Sequence, residues 1–151
     1  MKKLALTDFT KYRYPSALEL SPDGRYLTFA LKEVDREGDG YRWNLWLYDL
    51  ESRESRQITR GDHQRQAVWE DNTHILYKTT ELDEAMRARG FEEEWTVYHR
   101  LNVCTGEECE AFRLPMSVSG LWKMDEGRYV FTGETHLDRP NLLELTGEAL
   151  E

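Results

Sequence analysis

The sequence predicts an all-β fold made of repeated antiparallel β-meanders, as in the blades of a β-propeller. Three segments share one pattern: an acidic residue, one or two residues suited to a tight turn, and then a β-prone run. Their acidic residues are Asp23, Asp71 and Glu126, which lie 48 and 55 residues apart. The four-stranded blades of propellers repeat roughly every 40–50 residues. The pattern and its spacing therefore predict one blade for each segment.

The first blade is predicted at about 15–60. Its strands are expected over residues 17–20, 25–31, 44–50 and 55–59. Pro22 presets φ at the first central position of the turn between the first two strands, and Gly24 closes that turn, which is typical of type I. A charged, Gly-rich loop is expected at 35–40, and Trp43 beside it is expected to be the exposed tryptophan.

A second blade, at about 64–115, follows the same plan. Its strands are expected over residues 66–69, 74–77, 95–103 and 109–114. A short helical insertion is predicted near 81–90, because acidic residues come early, arginines come late and Gly90 follows. A partial third blade at about 117–151 has its first two strands and a candidate third at 141–145, without room for a fourth.

Two whole blades and a partial one do not close a ring, because propellers typically contain four to eight blades. An unclosed array leaves a sheet face unpaired at each end. The sequence alone therefore favours two interpretations. Residues 1–151 are either the first piece of a longer chain, or a protein that self-associates through its unpaired blade faces.

The composition excludes some classes of partner. The net charge is −9 and the pI is about 5.0, so the surface repels nucleic-acid phosphates and anionic membranes. No apolar run approaches the roughly 18 residues of a membrane span. The apolar character of the N-terminus stops at Asp8, which argues against a signal peptide. A cytoplasmic location is therefore expected.

The two cysteines, Cys104 and Cys109, flank a predicted hairpin turn. Zinc needs about four ligands, and the sequence offers no other cysteine and no suitably spaced histidine nearby. A cross-hairpin disulfide is the alternative, but two free thiols are expected in a reducing compartment. No metal and no cofactor is predicted.

Six segments carry a resemblance to a known family. They are Leu-Thr-Asp-Phe at 6–9, Tyr-Pro-Ser-Ala at 14–17, the Ser-Pro-Asp-Gly turn and its flanks at 20–29, Glu-Trp-Thr-Val-Tyr at 94–98, Thr-Gly-Glu at 105–107 and Phe-Arg-Leu-Pro at 112–115. Together they resemble the start of the propeller in prolyl oligopeptidase family serine peptidases, which include bacterial dipeptidyl and acylaminoacyl peptidases.

The resemblance implies a propeller that works with a C-terminal α/β-hydrolase domain on a peptide substrate. In that family the nucleophile lies in a G-x-S-x-G turn. This sequence lacks that motif, and the nearest segment, 117–120, has no leading glycine. No catalytic residue is therefore expected in the chain. Its implied role is to gate access to the active site and to shape substrate selection.

The resemblance also implies a substrate contact at Glu92 and Glu93. In dipeptidyl peptidases a pair of propeller glutamates on a helical insertion binds the substrate's terminal ammonium, because two carboxylates accept charge-assisted hydrogen bonds from one –NH₃⁺. Here Glu92, Glu93 and Glu94 follow the predicted helix, but the Asp-Trp segment that precedes the pair in the family is absent. A solvated acidic turn is the alternative.

The four histidines point to no catalytic site, because they are scattered at 63, 74, 99 and 136. Two other functions stay open. One is a TolB-like or WD-repeat-like propeller that acts as a protein-binding module. The other is a stand-alone small protein that assembles blades by oligomerisation.

Overall fold

The computed structural model describes residues 6–82, 94–114, 116–125 and 127–134. Within these residues a short 3₁₀ helix, Leu6–Lys11, precedes ten β-strands. The strands are β1 (Tyr14–Leu20), β2 (Tyr26–Asp35), β3 (Gly40–Asp49), β4 (Glu54–Gln57), β5 (Ala67–Trp69), β6 (His74–Leu82), β7 (Glu94–Asn102), β8 (Glu108–Leu114), β9 (Ser117–Asp125) and β10 (Arg128–Glu134).

The described strands form three meander sheets. Two sheets have four strands, in the orders β1-β2-β3-β4 and β5-β6-β7-β8, and the third pairs β9 with β10. Strands that follow each other in the sequence are therefore neighbours in the sheet. The prediction of an all-β, propeller-type fold with four-stranded antiparallel units is confirmed. The assignment of residues 15–60, 64–115 and 117–151 to blades stays a prediction.

The repeated acidic residue caps the turn between the first two strands of each four-stranded sheet. The carboxylate of Asp23 accepts a hydrogen bond from the Arg25 N–H at 3.1 Å. That of Asp71 accepts bonds from the N–H groups of Thr73 and His74 at 2.7 and 2.8 Å. Gly24 has φ of +75°, a value that favours glycine. The repeat is thus a turn with its own side-chain cap.

Three details of the first two sheets differ from expectation. Residues 81–82 end strand β6 instead of starting the predicted helix. The β-branched residues Thr79 and Thr80 just before them favour an extended strand. The rest of the predicted insertion lies outside the described residues. The loop expected at 35–40 is only a tight turn, because β2 and β3 continue to its edges. Trp43 is only partly exposed, whereas Trp122 is 50% exposed.

Described contacts divide the chain into two compact units, the first comprising Met1–Tyr77 with Leu101–Glu107. In this unit the first sheet packs against β5 and the start of β6. The buried side chains of this core are Ala30, Leu45, Leu47, Ala67, Trp69, Ile75, Tyr77, Leu101 and Val103. The Trp69 ring stacks on Tyr26 at 6.4 Å between centroids, and its indole N–H donates to the Glu19 carbonyl at 3.2 Å. Trp69 of β5 therefore connects this core to β1 and β2.

The second unit comprises Lys78–Arg100 and Glu108–Glu151, of which the strands up to β10 are described. Its rings form a short row: Phe112 lies 4.9 Å from Tyr98 and 6.0 Å from Tyr129, between ring centroids. Val118 and Leu121 of β9 are buried. The β9–β10 pair is therefore anchored in this unit through buried side chains of β9.

Candidate functional site

An open hollow of about 290 Å³ lies in the first unit, at the end of the first sheet where β3 turns into β4. Its lining residues are Tyr26, Leu47, Asp49, Ser52, Glu54, Ser55, Arg56 and Cys104. All but the last come from β2, β3, β4 and the turn between the last two. Cys104 belongs to the turn after β7, which therefore closes one side of the hollow.

Two reactive side chains meet at the wall of the hollow. The Cys104 thiol is exposed and donates to the Tyr26 hydroxyl at 3.9 Å. Burial and this thiol contact raise the pKa of Tyr26, so the phenol stays protonated at neutral pH. The Arg56 guanidinium donates to the carbonyl of Val103, which joins β4 to the same turn.

The acidic side of the hollow is held ionised by backbone donors. Burial alone would raise the pKa of Asp49, but the N–H groups of Glu51 and Ser52 donate to its carboxylate at 2.9 and 3.3 Å, and Arg25 lies 3.4 Å away. The pKa of Asp49 is therefore below its ordinary value. Glu54 adds a second carboxylate to the lining.

The chemistry of the hollow suits binding better than catalysis. It offers two carboxylates, one guanidinium, two serine hydroxyls and a thiol, and its volume is near the lower limit for small-molecule sites. A thiol nucleophile needs a base beside it. The partner of Cys104 is a phenol whose raised pKa keeps it protonated, so it cannot take up the thiol proton. The hollow could hold one end of a small polar molecule.

A second polar arrangement crosses three strands in the second unit. The Nε2 atom of His99 lies 3.0 Å from the Thr79 hydroxyl, and its Nδ1 lies 3.2 Å from a Glu108 carboxylate oxygen. Hydroxyl, imidazole and carboxylate thus stand in the order used by hydrolases. Thr79, however, lies within the regular strand β6, where no sharp turn presents backbone N–H groups as an oxyanion hole. We interpret the array as a polar link between β6, β7 and β8.

The predicted amine-binding residues, Glu92 and Glu93, lie outside the described residues. Sequence reasoning did not single out the hollow or the Thr79–His99–Glu108 array. Both depend on contacts between distant segments: Tyr26 and Cys104 are 78 positions apart. No local motif could have revealed them.

Two negative findings concern only the described part of the chain. Within it, no group of three or more His, Cys, Asp or Glu side chains is arranged to hold a metal ion. In the same ranges, no helix has the length and apolar character needed to cross a membrane.

The sheets and their meander order define a propeller-type protein, and solved structures agree. The chain is similar to the β-propeller domain of the Trilobed protease from Pyrococcus furiosus, which has an open velcro topology. The TM-score is 0.57 and the identity 13%, over 82% of this chain and 34% of that one.

The chain is also similar to the acylaminoacyl peptidase from Pyrococcus horikoshii. Here the TM-score is 0.61 and the identity 15%, over 88% of this chain and 20% of that one. The chain thus spans about a third of one relative and a fifth of the other. No family model and no curated protein sequence matches it. The resemblance found in the sequence is confirmed at the level of the fold.

Proposed function

We propose that this chain is the non-catalytic propeller part of a serine peptidase or related hydrolase, and that it controls which substrates reach the active site. The observation that supports this most is the fold: one of the similar solved structures is a protease propeller and another is a peptidase. The absence of a G-x-S-x-G motif agrees with a role that needs no nucleophile. The partner is an α/β-hydrolase domain, and the substrate is a peptide.

A propeller can select substrates by size because its blades are rigid. The first unit has a buried core in which Leu45 and Ile75 are fully buried, and such close packing resists deformation by a bulky chain. Short peptides would pass or enter beside it, whereas folded or long chains would be excluded. Catalysis would then depend on access, not on any residue of the propeller.

Peptide length is the variable that tests gating. In the complete protein, kcat/KM should be high for a tripeptide and should fall steeply for a long, unstructured polypeptide that carries the same cleavable bond. The unstructured substrate separates exclusion by size from protection by folding. Equal kcat/KM for the two substrates would refute the gating role.

We further propose that Glu92 and Glu93 bind the amino terminus of the substrate. Their sequence position after the end of β6 and just before β7 supports this, because both carboxylates then belong to one connection of the second sheet. In the complete protein, E92Q with E93Q should raise KM for a free-amine dipeptide substrate and leave KM for its N-acetylated form unchanged. E37Q with D39N, in the exposed turn after β2, also removes two carboxylates and is the matched control. Unchanged KM for the free amine in the E92Q/E93Q variant would contradict this role.

We also propose a cytoplasmic location. Cys104 and Cys109 are both exposed free thiols, and such thiols persist in a reducing compartment. Fractionation of the native cells with an antibody against the chain would test the location.

A further inference from the structure

Two cations and two aromatic rings lie together on the first sheet, and none of them lines the hollow. The Lys32 ammonium is 3.7 Å from the centroid of the Tyr41 ring and 5.4 Å from that of Trp43. The guanidinium carbon of Arg65 is 4.1 Å from the Trp43 centroid. The two ring centroids are 6.0 Å apart. We term these four residues the cation–aromatic cluster.

The backbone holds the cluster in place. Lys32 and Trp43 are direct partners across β2 and β3. The loop that carries Arg65 is fastened to β3: the Trp43 N–H donates to the Asp62 carbonyl at 2.9 Å, and the Gln64 N–H donates to the Trp43 carbonyl at 3.1 Å. Gln64 is 5% exposed. A ligand would therefore meet a preformed arrangement and would order few side chains on binding.

Acidic residues close to the cluster in the sequence have partners of their own. Glu33 pairs with Arg13 at 2.6 Å. The carboxylate of Asp35 accepts bonds from turn N–H groups. The Asp62 carboxylate accepts a bond from the Asn44 amide at 2.8 Å.

Among the described residues, neither Lys32 nor Arg65 forms an ion pair. That is notable in a chain with 29 acidic and 20 basic residues, because the surplus of acids makes neutralisation easy. Two like charges beside one ring repel each other, and an anion between them would relieve that repulsion. The rings cover the cations without using their N–H donors, which remain available to an acceptor.

We propose that the cation–aromatic cluster binds the C-terminal carboxylate of a peptide. Arg65 supplies a planar pair of donors that matches the two carboxylate oxygens, and Lys32 supplies a point charge. Tyr41, which is 47% exposed, packs against the apolar part of the same ligand. This proposal does not rest on the proposed function.

An NMR titration of the whole chain tests the proposal. The probe is N-acetyl-glycyl-phenylalanine with a free carboxylate, compared at constant ionic strength with its C-terminal amide. The free acid should shift the Arg65 Nε–H and Trp43 indole signals saturably, with a Kd on the order of 1 mM, as a few exposed contacts allow. The amide should bind at least about ten-fold more weakly. Equal shifts with both probes, or shifts that do not saturate, would overturn the proposal.

Variants then locate the binding. K32Q and R65Q should each raise the Kd of the free acid by about five-fold. The matched control is R42Q, which removes the same charge from the opposite face of β3 and should leave the Kd unchanged. If R42Q weakens binding as much as R65Q, the attraction is general and no site exists. The comparison of acid with amide needs no variant, so it stands if a substitution unfolds the protein.

Discussion

A single buried hydroxyl, that of Thr96, ties the start of β9 to β7 in the second unit. It donates to the Met116 carbonyl at 2.7 Å and accepts from the Val118 N–H at 3.0 Å. Thr96 is 3% exposed and Val118 is 1% exposed. Thr96→Val keeps the shape of the side chain, but it leaves a carbonyl and an N–H without their partner in a place that water does not reach.

The size of the effect follows from these two groups. An unsatisfied buried backbone group costs about 1–3 kcal/mol, so Thr96→Val should lower the free energy of unfolding by about 2–4 kcal/mol. Thr96→Ser keeps the hydroxyl and loses one methyl group, which costs about 1 kcal/mol. The valine variant should therefore be clearly less stable than the serine variant.

Urea unfolding measures the change in stability, and amide hydrogen exchange at Val118 measures it locally. Val118 should exchange at least about 30-fold faster in Thr96→Val, because its amide has lost its acceptor. Thr132→Val removes an exposed hydroxyl 2.9 Å from that of Ser119 and should change stability by less than about 0.5 kcal/mol. If Thr96→Val is no worse than Thr96→Ser and Val118 exchanges at its original rate, the reasoning is wrong.

Three other outcomes are expected. Burial would raise the pKa of Asp71, but the N–H groups of Thr73 and His74 bring it from 3.8 to about 2. The stability that this carboxylate contributes is therefore complete above about pH 4 and is lost as the pH falls through about 2. The urea midpoint should consequently drop less on acidification in Asp71→Asn than in wild type. Equal drops in the two proteins would contradict this. Leu45 is 0% exposed, so Leu45→Ala should lower the free energy of unfolding measured in urea by about 2–5 kcal/mol. A decrease below about 1 kcal/mol would contradict the close packing of this core. Burial raises the pKa of Tyr98 to about 12, so Tyr98→Phe should remove the late step of an alkaline absorbance titration, and an unchanged curve would refute this.

Structural features that depend on residues close together in the sequence could be predicted. The turn closed by Gly24 and the turn capped by Asp71 depend only on residues within a few positions, and so does the alternation that marks the flanking strands. The number of strands in the first two sheets followed from those turns. The ends of the strands were harder to predict from the sequence. Strand β6 continues to Leu82 because strand pairing can extend through residues of weak β propensity.

Features made by distant residues were not predictable. Cys104 reaches Tyr26 only after the sheets have packed, and Thr79 meets His99 only through strand pairing. Trp43 looked exposed because charged residues flank it in the sequence, yet two of the chain's cations cover its ring. Long-range register decided these contacts, and single-sequence patterns carry little information about register.

A propeller that serves a serine hydrolase should occur together with that hydrolase and hold no nucleophile of its own. Native cells can be labelled with a biotinylated fluorophosphonate, the species that contains residues 1–151 can be isolated with an antibody, and the labelled residue can be mapped by mass spectrometry. The proposed function predicts a labelled serine outside residues 1–151, in the same polypeptide or in a tightly bound partner. An unlabelled species, or a label on a residue of this chain such as Thr79 beside His99, would contradict it.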